Sequence, residues 1–168
     1  LDMLPFRDIV SWNALIGGFA TQGHNYEAMN CFDRMQTEGF SPDAITFSCI
    51  LKACGNLVDS GHGCMVHNYI MERGIESYVY IVSSLINMYV KCGRLEDARG
   101  VFNMMQDRNL VAWNAIIDGY AQYGHGEEAL NYFGQMQGKG SFSEQSDLSF
   151  NIEGVCDLVG AFGQEGQR

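Results

Sequence analysis

Sliding the chain along itself by 101 residues lays IVSWNALIGGFATQGHNYEAMNCFDRMQTEG, from Ile9, over LVAWNAIIDGYAQYGHGEEALNYFGQMQGKG, from Leu110, with 16 of 31 positions identical. An internal copy of that length restricts the fold to architectures that stack one supersecondary unit many times. The offset itself divides. A looser copy starts at Val79, where Leu85, Ile86, Tyr89, Gly93, Ala98, Phe102 and Met105 stand in register with Leu15, Ile16, Phe19, Gly23, Ala28, Phe32 and Met35. Residues 44–78 fit between as a diverged copy, with Ile50, Leu51 and Gly74 in register. The units are therefore expected at 9–43, 44–78, 79–109 and 110–140, the first three being 35, 35 and 31 residues long. The opening LDMLPFRD aligns with FNMMQDRN at 102–109, so residues 1–8 read as the end of a preceding short unit.

Each unit reads as two helices. In the first, Trp12, Ile16, Phe19 and Ala20 recur at helical spacing, Gly23 breaks the pattern, and Ala28, Phe32 and Met35 form a second stripe that Gly39 and Pro42 end. A single hairpin cannot bury both stripes, whereas a stack of hairpins can. The expected fold is all-α, a right-handed α-solenoid with a concave and a convex face. Residues 141–168 lose the skeleton, are rich in Gly and Ser, and are expected to be a poorly ordered tail with at most a short helix near Val155 to Phe162.

Composition narrows the function classes. Apolar residues at 46% can fill a continuous core. No run approaches the roughly 20 apolar residues that cross a bilayer, so no membrane partner is expected. The first residues lack both a start Met and the basic-then-apolar order of a signal peptide; the chain reads as an internal segment. Ten basic against twenty acidic residues give a net charge of -10, of which the tail carries -4. That balance opposes polyanions at long range. The six cysteines include no C-x-x-C pair and read as free thiols in a reducing compartment.

A period near 34 also suits tetratricopeptide repeats, but their Trp, Leu-Gly and Tyr spacing does not recur here. What recurs is V-x-W-N-x-(L/I)-I-x-G-(F/Y)-A, then Gly, Glu-Ala, Phe and Met, with GFSPD in the first unit. Over residues 1–140 this resembles the pentatricopeptide repeat family of plants. The alternating unit lengths, with KCGRLEDARGVF and GYAQYGHGEEAL, are similar to its PLS class. On that likeness 9–43 and 110–140 are P-type units, 44–78 an L-type unit and 79–109 an S-type unit.

The resemblance implies recognition of single-stranded organellar RNA in mitochondrion or chloroplast, one base per unit, by a non-catalytic module that needs no cofactor or metal. It further implies target recognition in C-to-U editing, with accessory proteins or a deaminase domain supplied in trans. In the family the fifth and last residues of a unit select the base and the second packs on it. Carried over, the first unit offers Asn13 with Asp43 above Val10, a pair favouring uracil over cytosine. The third offers Ser83 with Asn109 above Tyr80, a pair favouring adenine. Ser48 and Tyr78 of the second unit form no dependable pair. The fourth offers Asn114 and Val111 with an uncertain partner at Glu144, and Asp8 closes the missing upstream unit. At the position where the family often carries Lys stand Thr21, Asn56, Lys91 and Gln122, which leaves Lys91 as the phosphate contact, with Arg94 and Arg99 beside it.

The same residues admit local roles. Trp12 and Trp113 begin apolar stripes and are expected in the core rather than under a base. Asn13 and Asn114 could cap a helix start, and Asp43 could cap the helix that begins near Ala44. His62, Cys64 and His67 complete no recognised metal spacing. His24 and His125 hold equivalent turn positions. The His-x-Glu and C-x-x-C motifs of a zinc deaminase are absent from this sequence. Because the charge balance is acidic, a second expectation is a protein-binding solenoid that recruits editing accessory factors through the diverged second unit.

Overall fold

A computed structural model describes residues 8–74 and 79–138. Over them the chain forms eight helices: α1 (Ile9–Thr21), α2 (Asn25–Thr37), α3 (Ala44–Leu57), α4 (Ser60–Glu72), α5 (Val79–Lys91), α6 (Leu95–Met104), α7 (Leu110–Gln122) and α8 (Gly126–Gly138). No strand occurs among the described residues, and no helix there is long and apolar enough to cross a membrane. The opening residues 1–7, the partner position Tyr78 and the tail with Glu144 and Cys156 lie outside the described residues.

The helices pair as hairpins, α1 on α2, α3 on α4, α5 on α6 and α7 on α8. Successive hairpins join in a fixed way. α3 packs on both α1 and α5, α7 packs on α5, and each of α2, α4 and α6 reaches only its own partner and the next first helix. Because first helices touch and second helices do not touch one another, α1, α3, α5 and α7 form the inner layer and the second helices splay outward. The result is the all-α helical-repeat solenoid that the sequence period requires.

One core runs through the stack. Trp12, Ile16 and Ala20 of α1 and Ala28, Phe32 and Met35 of α2 are buried, as the stripes predict. Trp113 lies edge-on to Phe102, with ring centroids 4.8 Å apart, and Phe32 is similarly placed against Phe47 across units, at 6.4 Å. Both tryptophans are therefore core residues. Burying such a side chain contributes about 1.5–3 kcal/mol. Two glycines allow helices to approach where a side chain would collide. A Cβ on Gly119 of α7 would lie 2.7 Å from a Val90 methyl of α5, and one on Gly63 of α4 would lie 2.4 Å from the Met88 sulfur.

The turn inside each hairpin repeats the same conformation. Gly23, Gly93 and Gly124 adopt φ of +82°, +71° and +81°, and each turn closes with an N–H of the following residue on a carbonyl of the first helix, as in His24 to Phe19 at 2.9 Å. The diverged second unit puts Val58 at the same place, with φ of +56°. A β-branched residue in the left-handed region costs about 1–2 kcal/mol relative to its preferred conformations, and Val58 is exposed, so its side chain recovers little by packing. Val58→Gly is therefore expected to stabilise the chain by about 1 kcal/mol in urea denaturation; a lower midpoint for the variant would contradict this reading of the turn.

Candidate nucleic-acid interface

The N-termini of the inner helices share one edge of the stack, and their capping residues decide its chemistry. Asp8 caps α1 by accepting from the Ser11 N–H at 2.7 Å. Asp43 caps α3 by accepting from Thr46 N–H at 2.9 Å, and the Thr46 hydroxyl returns the bond by accepting from Asp43 N–H at 3.1 Å, completing a capping box. Asn109 caps α7 by accepting from Ala112 N–H at 2.8 Å. Thus Asp43 does cap the helix that starts at Ala44. Asn13 does not cap α1, because Asp8 already holds that position and Asn13 sits a turn further in; Asn114 stands likewise inside α7 behind Asn109.

The caps also reach backward into the preceding unit. Asn13 Nδ2 lies 3.0 Å from both carboxylate oxygens of Asp43, and the Thr46 hydroxyl sits 2.5 Å from Asn13 Oδ1. A carboxylate only accepts, so the Asn13 amide must turn its NH2 toward Asp43 and its oxygen toward Thr46. Asn13, Asp43 and Thr46 form a closed polar triad that ties α1 to α3. Asp43 Oδ1 serves both Thr46 and Asn13, whereas Oδ2 receives only Asn13 and keeps acceptor capacity. Burial works against ionisation of Asp43, but the Thr46 N–H and the Asn13 amide outweigh it and hold the carboxyl below its ordinary value.

The third unit is wired differently. Ser83 is only 4% exposed; its hydroxyl lies 2.9 Å from Val79 O, one turn back, and 3.2 Å from Asn109 Oδ1. One hydroxyl proton cannot serve both, and the shorter contact to Val79 takes it. Since Asn109 Oδ1 faces the Ala112 N–H, its NH2 group is directed away from the cap and keeps both donors. The structure brings together the predicted pairs Asn13 with Asp43 and Ser83 with Asn109. The partner of Asn114 falls outside the described residues.

Beside these pairs stands a row of exposed apolar side chains, one per inner helix: Val10 (69% exposed), Ile45 (61%), Tyr80 (80%) and Val111 (54%). Three of them follow from the second position of each unit. Ile45 was legible by the same register and was overlooked because its unit lacks a dependable pair. Thr46 was missed outright, although the Asp-x-x-Thr spacing of a capping box could have shown it.

The other candidate residues are dispersed. His62 Nδ1 lies 2.6 Å from Asp59, which caps α4, His67 Nδ1 lies 2.8 Å from the Tyr89 hydroxyl, and Cys64 receives Arg94. Burial lowers the His67 pKa. His24 takes the N-cap position of α2 without a side-chain capping bond, and the rings of His24 and His125 lie edge-on to Phe19 and Tyr120. Cys31 and Cys54 are buried and Cys49, Cys64 and Cys92 half-buried, all as free thiols; burial pushes Cys54 up to about 12. Lys91 donates to Asn56 Oδ1 at 2.7 Å, while Arg94 and Arg99 are spent on Asp97 and Glu96.

The triad predicts a pH dependence. The lowered Asp43 pKa contributes stability above the unfolded carboxyl value near ~3.9, and that contribution is lost as pH falls through the folded value. Asp43→Ala should cost about 1 kcal/mol at neutral pH by removing the cap. In urea denaturation at a series of pH values, the gap between the two proteins should narrow below pH ~4; a gap independent of pH would contradict the ionised triad.

Sequence comparisons agree with this architecture. The PPR repeat family profile matches residues 7–56, and the PPR repeat profile matches residues 80–110 and 111–141. The chain is similar to the chloroplastic pentatricopeptide repeat-containing protein CRR2 of Arabidopsis thaliana, at 35% identity over 98% of this chain and 25% of that protein. It is similar to a mitochondrial member from the same plant at 41% identity, over 76% of this chain and 14% of the relative. The chain thus spans a quarter or less of these relatives, whose names agree with the organellar placement expected from the sequence. Among solved structures, PPR10 in complex with an 18-nt psaJ RNA element superposes with TM-score 0.71 at 18% identity, covering 97% of this chain and 26% of that one. The nuclear proteinaceous RNase P 2 of A. thaliana superposes with TM-score 0.64 at 12% identity, over 94% and 36% of the respective chains. The profiles, the relatives and the hairpin stack together show that this chain belongs to the pentatricopeptide repeat family.

Proposed function

We propose that the chain is a non-catalytic module that binds single-stranded RNA sequence-selectively along the inner-layer edge, as part of a longer organellar protein of PLS type. The observation that carries this reading is the presence, in the first and third units, of an exposed apolar side chain beside a polar pair whose free hydrogen-bonding capacity differs between the two. An aromatic face such as Tyr80 accepts any base by stacking, at about 1–3 kcal/mol per base, an aliphatic one such as Val10 or Val111 by apolar contact, and the pair then sorts by donors and acceptors. Val10, Tyr80 and Val111 supply the platforms, and Asn13 with Asp43, Ser83 with Asn109, and Asn114 supply the readers.

The sorting follows from what each pair leaves unspent. Asp43 offers an acceptor oxygen, which suits the N3–H of uracil and repels the bare N3 of cytosine. Asn109 offers donors beside a small Ser83, which suits the bare N1 of adenine and opposes the N1–H of guanine. The PPR10 complex with RNA supports transfer of this role to a chain of the same fold. Selection of sites for C-to-U editing, with the deaminase and accessory proteins supplied in trans, is the purpose that the PLS resemblance supports. The net charge of -10 favours the rival reading of a protein-binding solenoid, and oligonucleotide binding separates the two.

In the full-length protein, Asn109→Asp replaces the outward donors by acceptors and should move the preferred base at the third unit from adenine toward guanine, by about 5- to 150-fold for a contact worth about 1–3 kcal/mol. Fluorescence polarisation with four oligoribonucleotides that differ only at that base measures it. Equal binding to all four, before and after the substitution, would sink the assignment.

A further inference from the structure

Asn13 and Asp43 alone do not decide between the two pyrimidines. A side-chain amide carries both a donor and an acceptor, and the pyrimidines differ in the group beside N3. Uracil presents the O4 acceptor next to N3–H, whereas cytosine presents the N4 amine next to a bare N3. An amide free to turn could serve either. Asn13 is not free to turn, because both of its polar atoms are engaged, and its oxygen is engaged by a residue outside the pair. That residue is Thr46, the third of the second unit.

Thr46 is fully buried. Its hydroxyl oxygen accepts from the Asp43 N–H at 3.1 Å, and its single proton has two acceptors in reach, Asn13 Oδ1 at 2.5 Å and Asp43 Oδ1 at 3.0 Å. The shorter contact takes the proton, the more so because Asp43 Oδ1 already receives the Thr46 N–H at 2.9 Å. Asn13 Oδ1 is thereby spent. Asn13 Nδ2 lies 3.0 Å from both oxygens of the Asp43 carboxylate, which subtend too narrow an angle to take both amide hydrogens. One N–H faces the carboxylate, and the other stays available at this half-buried site. The first unit therefore offers a donor on Asn13 beside acceptor capacity on Asp43 Oδ2, which complements the edge of uracil and opposes that of cytosine. The equivalent residues of the other units make no such bridge: Ile81 and Ala112 lack a hydroxyl, and Ser11 gives its own to Asp8 at 2.7 Å.

Resting on the RNA reading above, we infer that Thr46 is a positioning residue for base selection by the first unit, acting through Asn13. By occupying the amide oxygen it leaves Asn13 a donor only, and so biases the pair toward uracil. Thr46 itself touches no base. Without its hydroxyl, Asn13 Oδ1 is free to accept from the N4 amine of cytosine, while Asp43 still opposes the bare N3. The preference for uracil then falls without vanishing.

The test measures binding of the full-length protein to two oligoribonucleotides that carry uracil or cytosine at the base facing the first unit. Thr46→Val keeps the shape of the side chain and removes the hydroxyl. The ratio of uracil to cytosine affinity should fall by about 5- to 10-fold, the worth of one base-edge contact, with the adenine preference at the third unit unchanged. Thr46→Ser retains the hydroxyl and should retain the ratio. A purely structural role would weaken binding to both oligoribonucleotides alike and leave the ratio where it was. Thermal melts of the variants check folding. A further measurement needs no variant: 4-thiouridine, whose sulfur is a weaker acceptor than O4, should bind the unmodified protein less tightly than uridine at that base. An unaltered ratio in folded Thr46→Val, or equal binding of 4-thiouridine and uridine, would overturn the role of Thr46. If Asn109→Asp still shifts the base preference at the third unit, the RNA reading stands. Failure of the unmodified protein to bind any oligoribonucleotide would overturn both.

Discussion

Everything in this molecule depends on first helices packing on first helices. α1, α3, α5 and α7 touch in sequence while α2, α4 and α6 reach only the first helices on either side, and that asymmetry sets the first helices side by side in one layer. At Gly119 the absence of a side chain lets α7 approach α5 closely. Once the inner helices are side by side, their N-caps are neighbours too. A cap residue, which any helix needs for its free N–H groups, then lies within hydrogen-bonding reach of a side chain on the preceding helix. On the proposed RNA reading, recognition chemistry is thereby built from groups that the fold already requires.

The two described pairs show how one geometry yields different outputs. Asp43 and Asn109 occupy the same capping position and use the same oxygen for a backbone N–H. What remains is an acceptor in one and donors in the other, because a carboxylate and an amide differ in the second terminal atom. The first-helix partner tunes this further. Asn13 engages Asp43 with its amide, while Ser83 turns its proton onto its own helix and recedes into the core. On the proposed reading, structure and selectivity share atoms, and the capping positions answer both to stability and to the ligand.

The period and the apolar stripes made the hairpins legible from sequence, because burial at helical spacing leaves little freedom: Trp12, Ile16, Ala28, Phe32 and Met35 are buried where their spacing puts them. The pairing of Asn13 with Asp43 came from family likeness, since thirty residues separate them and no local rule connects them. Less visible was anything that depends on which proton goes where. The commitment of the Ser83 hydroxyl to Val79, the bridging by Thr46 and the outward turn of the Asn109 amide all follow from competition among neighbours brought together only by folding. Val58 was hidden because the second unit kept the turn while replacing the glycine that makes it easy.

The proposed RNA reading requires the inner-layer edge to be the RNA-facing surface. Hydrogen exchange of the full-length protein, with and without a single-stranded oligoribonucleotide that it binds, tests this most directly. The predicted result is added protection at the amides of α1, α3, α5 and α7, strongest near their N-termini, with α2, α4, α6 and α8 unchanged. Protection concentrated on the outer helices, or none on the inner ones despite binding, would contradict it.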